Sequence, residues 1–157
     1  MSGTYLITGG TGNTALKLVS RLHAAGFKTF LASRKGTDVP APYTGVLFDW
    51  NDSATYSKVF EGVSDVRGVY LVAPTGFANV DAFKEFIEVA RKNGVNRFVA
   101  LASSINNAFY EKLNAHIKAL GKEGVEYSIL RPTWFFGMSN RSSTSLSVLS
   151  DTSTLPK

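Results

Sequence analysis

Thr4-Tyr5-Leu6-Ile7-Thr8-Gly9-Gly10-Thr11-Gly12-Asn13-Thr14-Ala15 is the stretch whose reading decides the fold. The apolar, β-prone run Tyr5-Leu6-Ile7 breaks into glycines, and a helical pattern starts directly after them. A strand, a tight turn and a helix N-terminus in that order can bind a dinucleotide pyrophosphate. Gly9 permits the sharp turn, and Gly12 lets phosphate oxygens approach the backbone. Gly10, Thr11, Asn13 and Thr14 complete the cradle. Ala15, small where a third glycine often stands, lets the helix pack closely on the strand. The first amides of a helix lack partners and carry the positive end of its dipole, so they favour an anion. Glycine-rich turns also close ordinary βα units; the spacing Gly9-x-x-Gly12-x-x-Ala15 between strand and helix favours nucleotide binding.

Working outward, 157 residues make one domain with room for a substantial core. There is no cysteine, which excludes disulfides, zinc–thiolate sites and cysteine nucleophiles. No metal site is expected. No apolar run approaches a membrane span, and Met1-Ser2-Gly3 leads into a strand without a signal peptide, so a cytoplasmic location is expected and no membrane partner. The net charge of +5 is localised: residues 1–37 hold Lys17, Arg21, Lys28, Arg34 and Lys35 and no acid. The remaining chain is balanced. A nucleic-acid role would need a wider basic stripe with interleaved aromatics, and none is present.

The periodicity predicts a helix over 13–25 with Ala15, Leu18, Val19 and Leu22 on one face, and a second strand over 27–33. A third strand is expected at 45–49, then a helix from Asp52 or Ser53 to Phe60. Strands follow at 66–73, 97–102 and 126–130, with helices over about 79–94 and 107–121 between them. His23 is expected exposed near the end of the first helix. Strands alternating with helices imply a doubly wound α/β fold, a parallel sheet of about six strands of Rossmann type. Its ligand lies across the carboxyl ends of the strands. Residues 1–136 form that NAD(P)-binding domain; residues 137–157, rich in Ser and Thr, are expected to be a disordered tail.

The strand ends carry the remaining site candidates. Where a Rossmann unit selecting NAD carries an acid, this chain reads Ala32-Ser33-Arg34-Lys35. Arg34 can grip a 2′-phosphate bidentately with Ser33 as a second donor, which favours NADP(H); a solvated loop arginine is the plainer alternative. Asp49 and Trp50 end the third strand at the expected adenine edge, as base acceptor and wall, or as a cap and a packing residue. Ala73 and Pro74 follow the fourth strand beside the cofactor ribose. Ser103 and Ser104 end the fifth, either beside the nicotinamide or as helix caps.

Thr8-Gly9-Gly10-Thr11-Gly12, Phe48-Asp49-Trp50, the strand from Arg97 to Ser103 and the run from Gly124 to Phe135 resemble the NmrA-like, atypical short-chain dehydrogenases. Among these they are most similar to the fungal ergot-alkaloid reductases, the festuclavine and agroclavine dehydrogenases. The resemblance covers about residues 4–136. It implies NADPH-dependent reduction of a cyclic iminium in an alkaloid intermediate, the small-molecule partner, and leaves a homodimer open. An NADP(H)-binding redox sensor without catalysis is the alternative that it also allows.

Typical short-chain dehydrogenases use Tyr-x-x-x-Lys to pass a proton to a carbonyl oxygen. Here Tyr110 is followed four places on by Asn114, so no catalytic residue is assigned. An iminium carbon is already electrophilic, and its nitrogen needs no proton when hydride arrives, so the missing pair fits that substrate. The resemblance also implies a C-terminal substrate region that this chain lacks. A truncated product, with the strand at 126–130 left as an open edge, is therefore expected.

Overall fold

The computed structural model describes residues 3–103, 107–132 and 148–153. Its first six strands are β1 (Thr4–Thr8), β2 (Lys28–Ser33), β3 (Thr44–Leu47), β4 (Val66–Val72), β5 (Arg97–Leu101) and β6 (Glu126–Pro132). Adjacent pairs among these six all run parallel. The sheet order is β3-β2-β1-β4-β5-β6, so the chain reverses direction across the sheet between β1 and β4. This is the doubly wound Rossmann arrangement, and its switch point lies beside the glycine turn.

Three helices make the crossovers: α1 (Asn13–Ala24), α2 (Val80–Lys92) and α3 (Ala108–Gly121). Each starts and stops where its chemistry dictates. The Asn79 side chain accepts from the amides of Asp81 and Ala82, both at 3.1 Å, and Asn107 caps α3 through the Phe109 amide at 2.9 Å. Gly26 and Gly94, with φ of 82° and 87°, take up the left-handed backbone that follows α1 and α2.

The two faces of the sheet are unequal. One carries α2 and α3 over a core of Phe48, Trp50, Phe83, Phe86, Phe98, Leu113, Ile117 and Ile129. The other carries α1, whose fully buried Ala15 packs with Ile7 and Tyr70. On that face Val99, Leu101 and Leu130 are only half-buried.

Two expectations are corrected. The helix foreseen from Asp52 to Phe60 is instead two 3₁₀ turns, Ser53–Thr55 and Lys58–Phe60. Local side-chain bonds win over the α pattern there: Asp52 Oδ1 accepts the Ala54 amide at 3.1 Å, and Thr55 Oγ1 donates to the Asp52 carbonyl at 2.6 Å. The second correction concerns residues 137–157, read as a tail. Val148–Ser153 form β7, antiparallel to β6 with Tyr127 opposite Ser153 and Pro132 opposite Val148. The edge of β6 is thus covered. An edge strand needs only backbone pairing to be held, and that demand leaves no apolar period to read. The run Thr133-Trp134-Phe135-Phe136 lies outside the described residues.

Candidate cofactor site

The glycine turn is fixed from both sides. Gly9 adopts φ 63°, the left-handed region that glycine enters without strain, and its carbonyl accepts the Gly12 amide at 2.8 Å. Gly10 donates to the Ala32 carbonyl at 3.0 Å, which pins the turn to the end of β2. A Cβ on Gly10 would come within 2.6 Å of Leu31 Cβ and 2.9 Å of the Leu31 backbone. Gly12 differs: a Cβ there would meet only the Gly9 carbonyl of its own turn, at 3.1 Å. Close packing therefore demands glycine at position 10, while Gly12, which is exposed, leaves its outer side open.

Gly12 is also the N-cap of α1, and no side chain caps the helix. Its first turn contains no acid. Asn13, Thr14 and Ala15 thus begin a helix whose leading amides have no side-chain acceptor, with Thr11 exposed beside them. This donor set suits a pyrophosphate, and the open side of Gly12 is where one would approach.

Thr8 ties the strand before the turn to β4, a role that sequence reasoning missed. It is fully buried at the end of β1. Its hydroxyl donates to the Tyr70 carbonyl at 3.0 Å and accepts the Val72 amide at 2.8 Å. Regular pairing of β1 with β4 stops at Ile7 and Tyr70, so the Thr8 side chain spans the strands where their ladder ends. The only signal in sequence is a threonine directly before the glycines.

At the end of β2, Ser33 is buried and Arg34 and Lys35 are exposed. Neither cation forms an ion pair among the described residues. The Ser33 hydroxyl donates to the Asp38 carboxylate and accepts the Gly36 amide at 3.0 Å. An acid therefore does stand at this corner, supplied by the loop rather than by the strand end.

Asp49 and Trp50 part company. Asp49 is half-buried; its Oδ1 accepts from the Asn51 amide at 2.9 Å and from Asn51 Nδ2 at 3.3 Å. Its second oxygen has no hydrogen-bond partner among the described residues. Trp50 is a core residue and not a wall for a base. It is 5% exposed, stacks on Phe83 with centroids 3.8 Å apart, and donates Nε1 to the Val72 carbonyl at 3.1 Å. An indole packed between aromatic rings is buried more favourably than one laid against solvent. Tyr56 donates to the Trp50 carbonyl at 2.8 Å; burial, with Glu85, Asp49 and Asp52 nearby, pushes its phenol up to about 12.

Ala73 and Pro74 line a cleft of about 310 Å³ with Phe77, Asn107, Phe109 and Tyr110, at the carboxyl end of β4. Burial raises the Tyr110 phenol above its ordinary value, so it stays neutral at physiological pH. Ser103 is half-buried at the end of β5, and Ser104 lies outside the described residues. Among the described residues no group of acids and histidines is arranged to hold a metal, and no helix is long and apolar enough to cross a membrane.

Comparison with known proteins follows the same lines. The chain is 41% identical over 140 residues to festuclavine dehydrogenase easG of Aspergillus fumigatus, covering 84% of this chain and 47% of that protein. It is 35% identical over 141 residues to agroclavine dehydrogenase of Claviceps fusiformis, with 84% and 47% covered. The chain thus spans about half the length of these relatives. Among solved structures, a Rossmann-fold NAD(P)-binding protein from Shigella flexneri superposes with a TM-score of 0.68 at 20% identity, covering 88% of this chain and 71% of that one. Thermus thermophilus UDP-glucose 4-epimerase, solved with NAD, gives 0.64 at 16% identity, with 79% and 53% covered. The fold is shared with both. The profile of the NAD(P)H-binding family matches residues 9–156, and the chain belongs to that family.

Proposed function

We propose that the chain is the cofactor-binding part of an NADPH-dependent oxidoreductase that reduces a cyclic iminium in ergot-type alkaloid biosynthesis. The observation that carries the reading is the uncapped N-terminus of α1 behind the open side of Gly12, at the switch point between β1 and β4. The names of the similar fungal dehydrogenases supply the alkaloid class. Arg34 supplies the preference for a 2′-phosphate, being exposed at the end of β2 and without an acidic partner among the described residues.

The residues divide the work by position. Gly9 to Thr14 cradle the pyrophosphate, and Asp49 offers its free carboxylate oxygen to the adenine amino group. Ala73 and Pro74 keep the ribose path narrow, with Ser103 beside the nicotinamide. Bound NADPH would supply hydride. The cleft beyond Pro74 is lined by the aromatic residues Phe77, Phe109 and Tyr110, a composition that suits a flat cation. Hydride addition to an iminium carbon yields a neutral amine and consumes no proton, so positioning suffices. A homodimer is compatible with this reading, as is a cytoplasmic location.

A second reading has its own support. Position 114 holds Asn where a proton-relaying lysine would stand, and the chain covers half of its relatives' length. On that reading it binds NADP(H) without turnover, as a redox sensor. Fluorescence titration with NADPH, paired with an assay of iminium reduction, separates the two. Binding with turnover supports the enzyme, and binding alone supports the sensor. Gly12→Asp sets a carboxylate where phosphate must approach and should abolish binding of both cofactors in a folded protein. Unchanged affinity in that variant would remove the site assignment.

A further inference from the structure

The corner at the end of β2 holds a feature that the sequence around Arg34 hides. Ser33 adjoins Ala32, whose carbonyl anchors the glycine turn through Gly10, so the Ser33–Asp38 pair stands beside the cradle. A serine hydroxyl has one proton to give. Here that proton goes to Asp38, while the Gly36 amide donates to the same oxygen. Ser33 therefore has no donor left for a phosphate while the pair is made.

The loop that presents Asp38 is pressed onto its neighbour. Gly36 has φ 70°, and a Cβ on it would lie 2.9 Å from the Leu47 amide nitrogen. A Cβ on Gly45 would fall on the Gly36 carbonyl, deep inside van der Waals contact. Two glycines thus let the loop lie against β3, and Ser33 itself is held there, its carbonyl accepting the Phe48 amide at 2.8 Å. Asp38 is exposed, as Arg34 and Lys35 are, but its carboxylate is tethered to this corner by the Ser33 hydroxyl, whereas neither cation has an ion-pair partner among the described residues.

We propose that Asp38 is a specificity-determining residue that opposes the 2′-phosphate and admits a free ribose 2′-hydroxyl. The inference rests on the cofactor reading given above. A carboxylate accepts a hydrogen bond from a hydroxyl and repels a phosphate. Arg34 attracts the phosphate across the same corner. The balance between NADH and NADPH is therefore set by two side chains of opposite sign, and the preference for NADPH is smaller than Arg34 alone would give.

The test is equilibrium titration of NADPH and NADH, followed by nicotinamide fluorescence, on the full chain and on Asp38→Asn. Asparagine keeps the shape and an acceptor for Ser33 while removing the charge. The expected result is NADPH affinity raised by about tenfold or more, the scale of one charge-assisted contact, with NADH affinity unchanged or reduced. Asp38→Ala should shift the ratio the same way, and circular dichroism confirms that each variant folds. An unchanged NADPH-to-NADH ratio, or equal weakening of both, would overturn the proposal and leave the cofactor site standing. If the unmodified chain binds neither cofactor, the cofactor reading itself fails and this inference falls with it.

Discussion

Thr8 and Val72 are joined by a hydrogen bond in which a side chain replaces the sheet's own ladder, the Val72 amide donating to Thr8 Oγ1 at 2.8 Å. Val72 is held at both its polar groups, since its carbonyl accepts Trp50 Nε1 at 3.1 Å. The end of β4 is thereby tied to the glycine turn on one side and to the aromatic core on the other. Sheet, turn and core meet at a single residue.

Replacing Thr8 by valine keeps the volume and removes the hydroxyl. The Val72 amide then loses its partner in the interior, a loss of about 1–3 kcal/mol. Urea unfolding should show that drop for Thr8→Val and a much smaller one for Thr8→Ser. Equal stability of the valine variant would show that the bond is dispensable.

Gly10→Ala forces a methyl group against Leu31, whose backbone cannot yield without disturbing β2. Overpacking of this kind costs about 1–3 kcal/mol. A lowered melting temperature together with weakened NADPH binding is expected, because turn and strand move together. A variant that melts as the parent does would contradict the close approach.

Arg34→Ala should reduce NADPH affinity by roughly ten- to a hundredfold, the range of a charge-assisted hydrogen bond. NADH affinity should barely change. Competitive titration of the two cofactors measures both, and a parallel loss would mean that Arg34 serves the loop rather than the phosphate.

His116 on α3 supplies a pH dependence of stability. Burial lowers its pKa, and Lys84 and Arg91 add to that, against Glu88 and Glu123. Its Nε2 is buried without a hydrogen-bond partner among the described residues. Because the folded value is depressed, the unfolded chain takes up the proton first as pH falls. Stability present above the ordinary histidine range, about 6.5, is therefore lost as pH drops through that value toward the folded one. Denaturant titrations at about pH 7.5 and pH 5.5 should differ less for His116→Gln than for the parent. Identical pH dependence in the two would exclude His116 as the source.

Much of the fold is legible because its signals are local. The apolar β4 and β5, the caps Asn79 and Asn107, and the glycines at 26 and 94 each announce an element through nearby chemistry. The two 3₁₀ turns were hidden because Val59 and Phe60 keep a helical apolar pattern while Asp52 and Thr55 bond to the backbone. β7 was hidden because backbone pairing to β6 leaves no trace in composition. In the site, the turn was legible from its spacing. The fate of Trp50 was not: Phe83 lies 33 residues away, and no period links the two rings. Asp38 was missed for a similar reason, since it reaches Ser33 only after the loop folds back over β3.

The bond between Thr8 and Val72 spans 64 residues of chain, which orders events during synthesis. β1 can pair with β2 once residue 32 has emerged, whereas its other edge waits for β4. At roughly 5–20 residues per second, the stretch from residue 32 to Val72 takes about 2–8 s to emerge. For those seconds the nascent chain has its glycine turn without the bond between Thr8 and Val72. On the cofactor reading proposed above, a nucleotide would meet an incomplete site during that interval. It can reward docking of β4 once that strand arrives, but it cannot template the strands that come before.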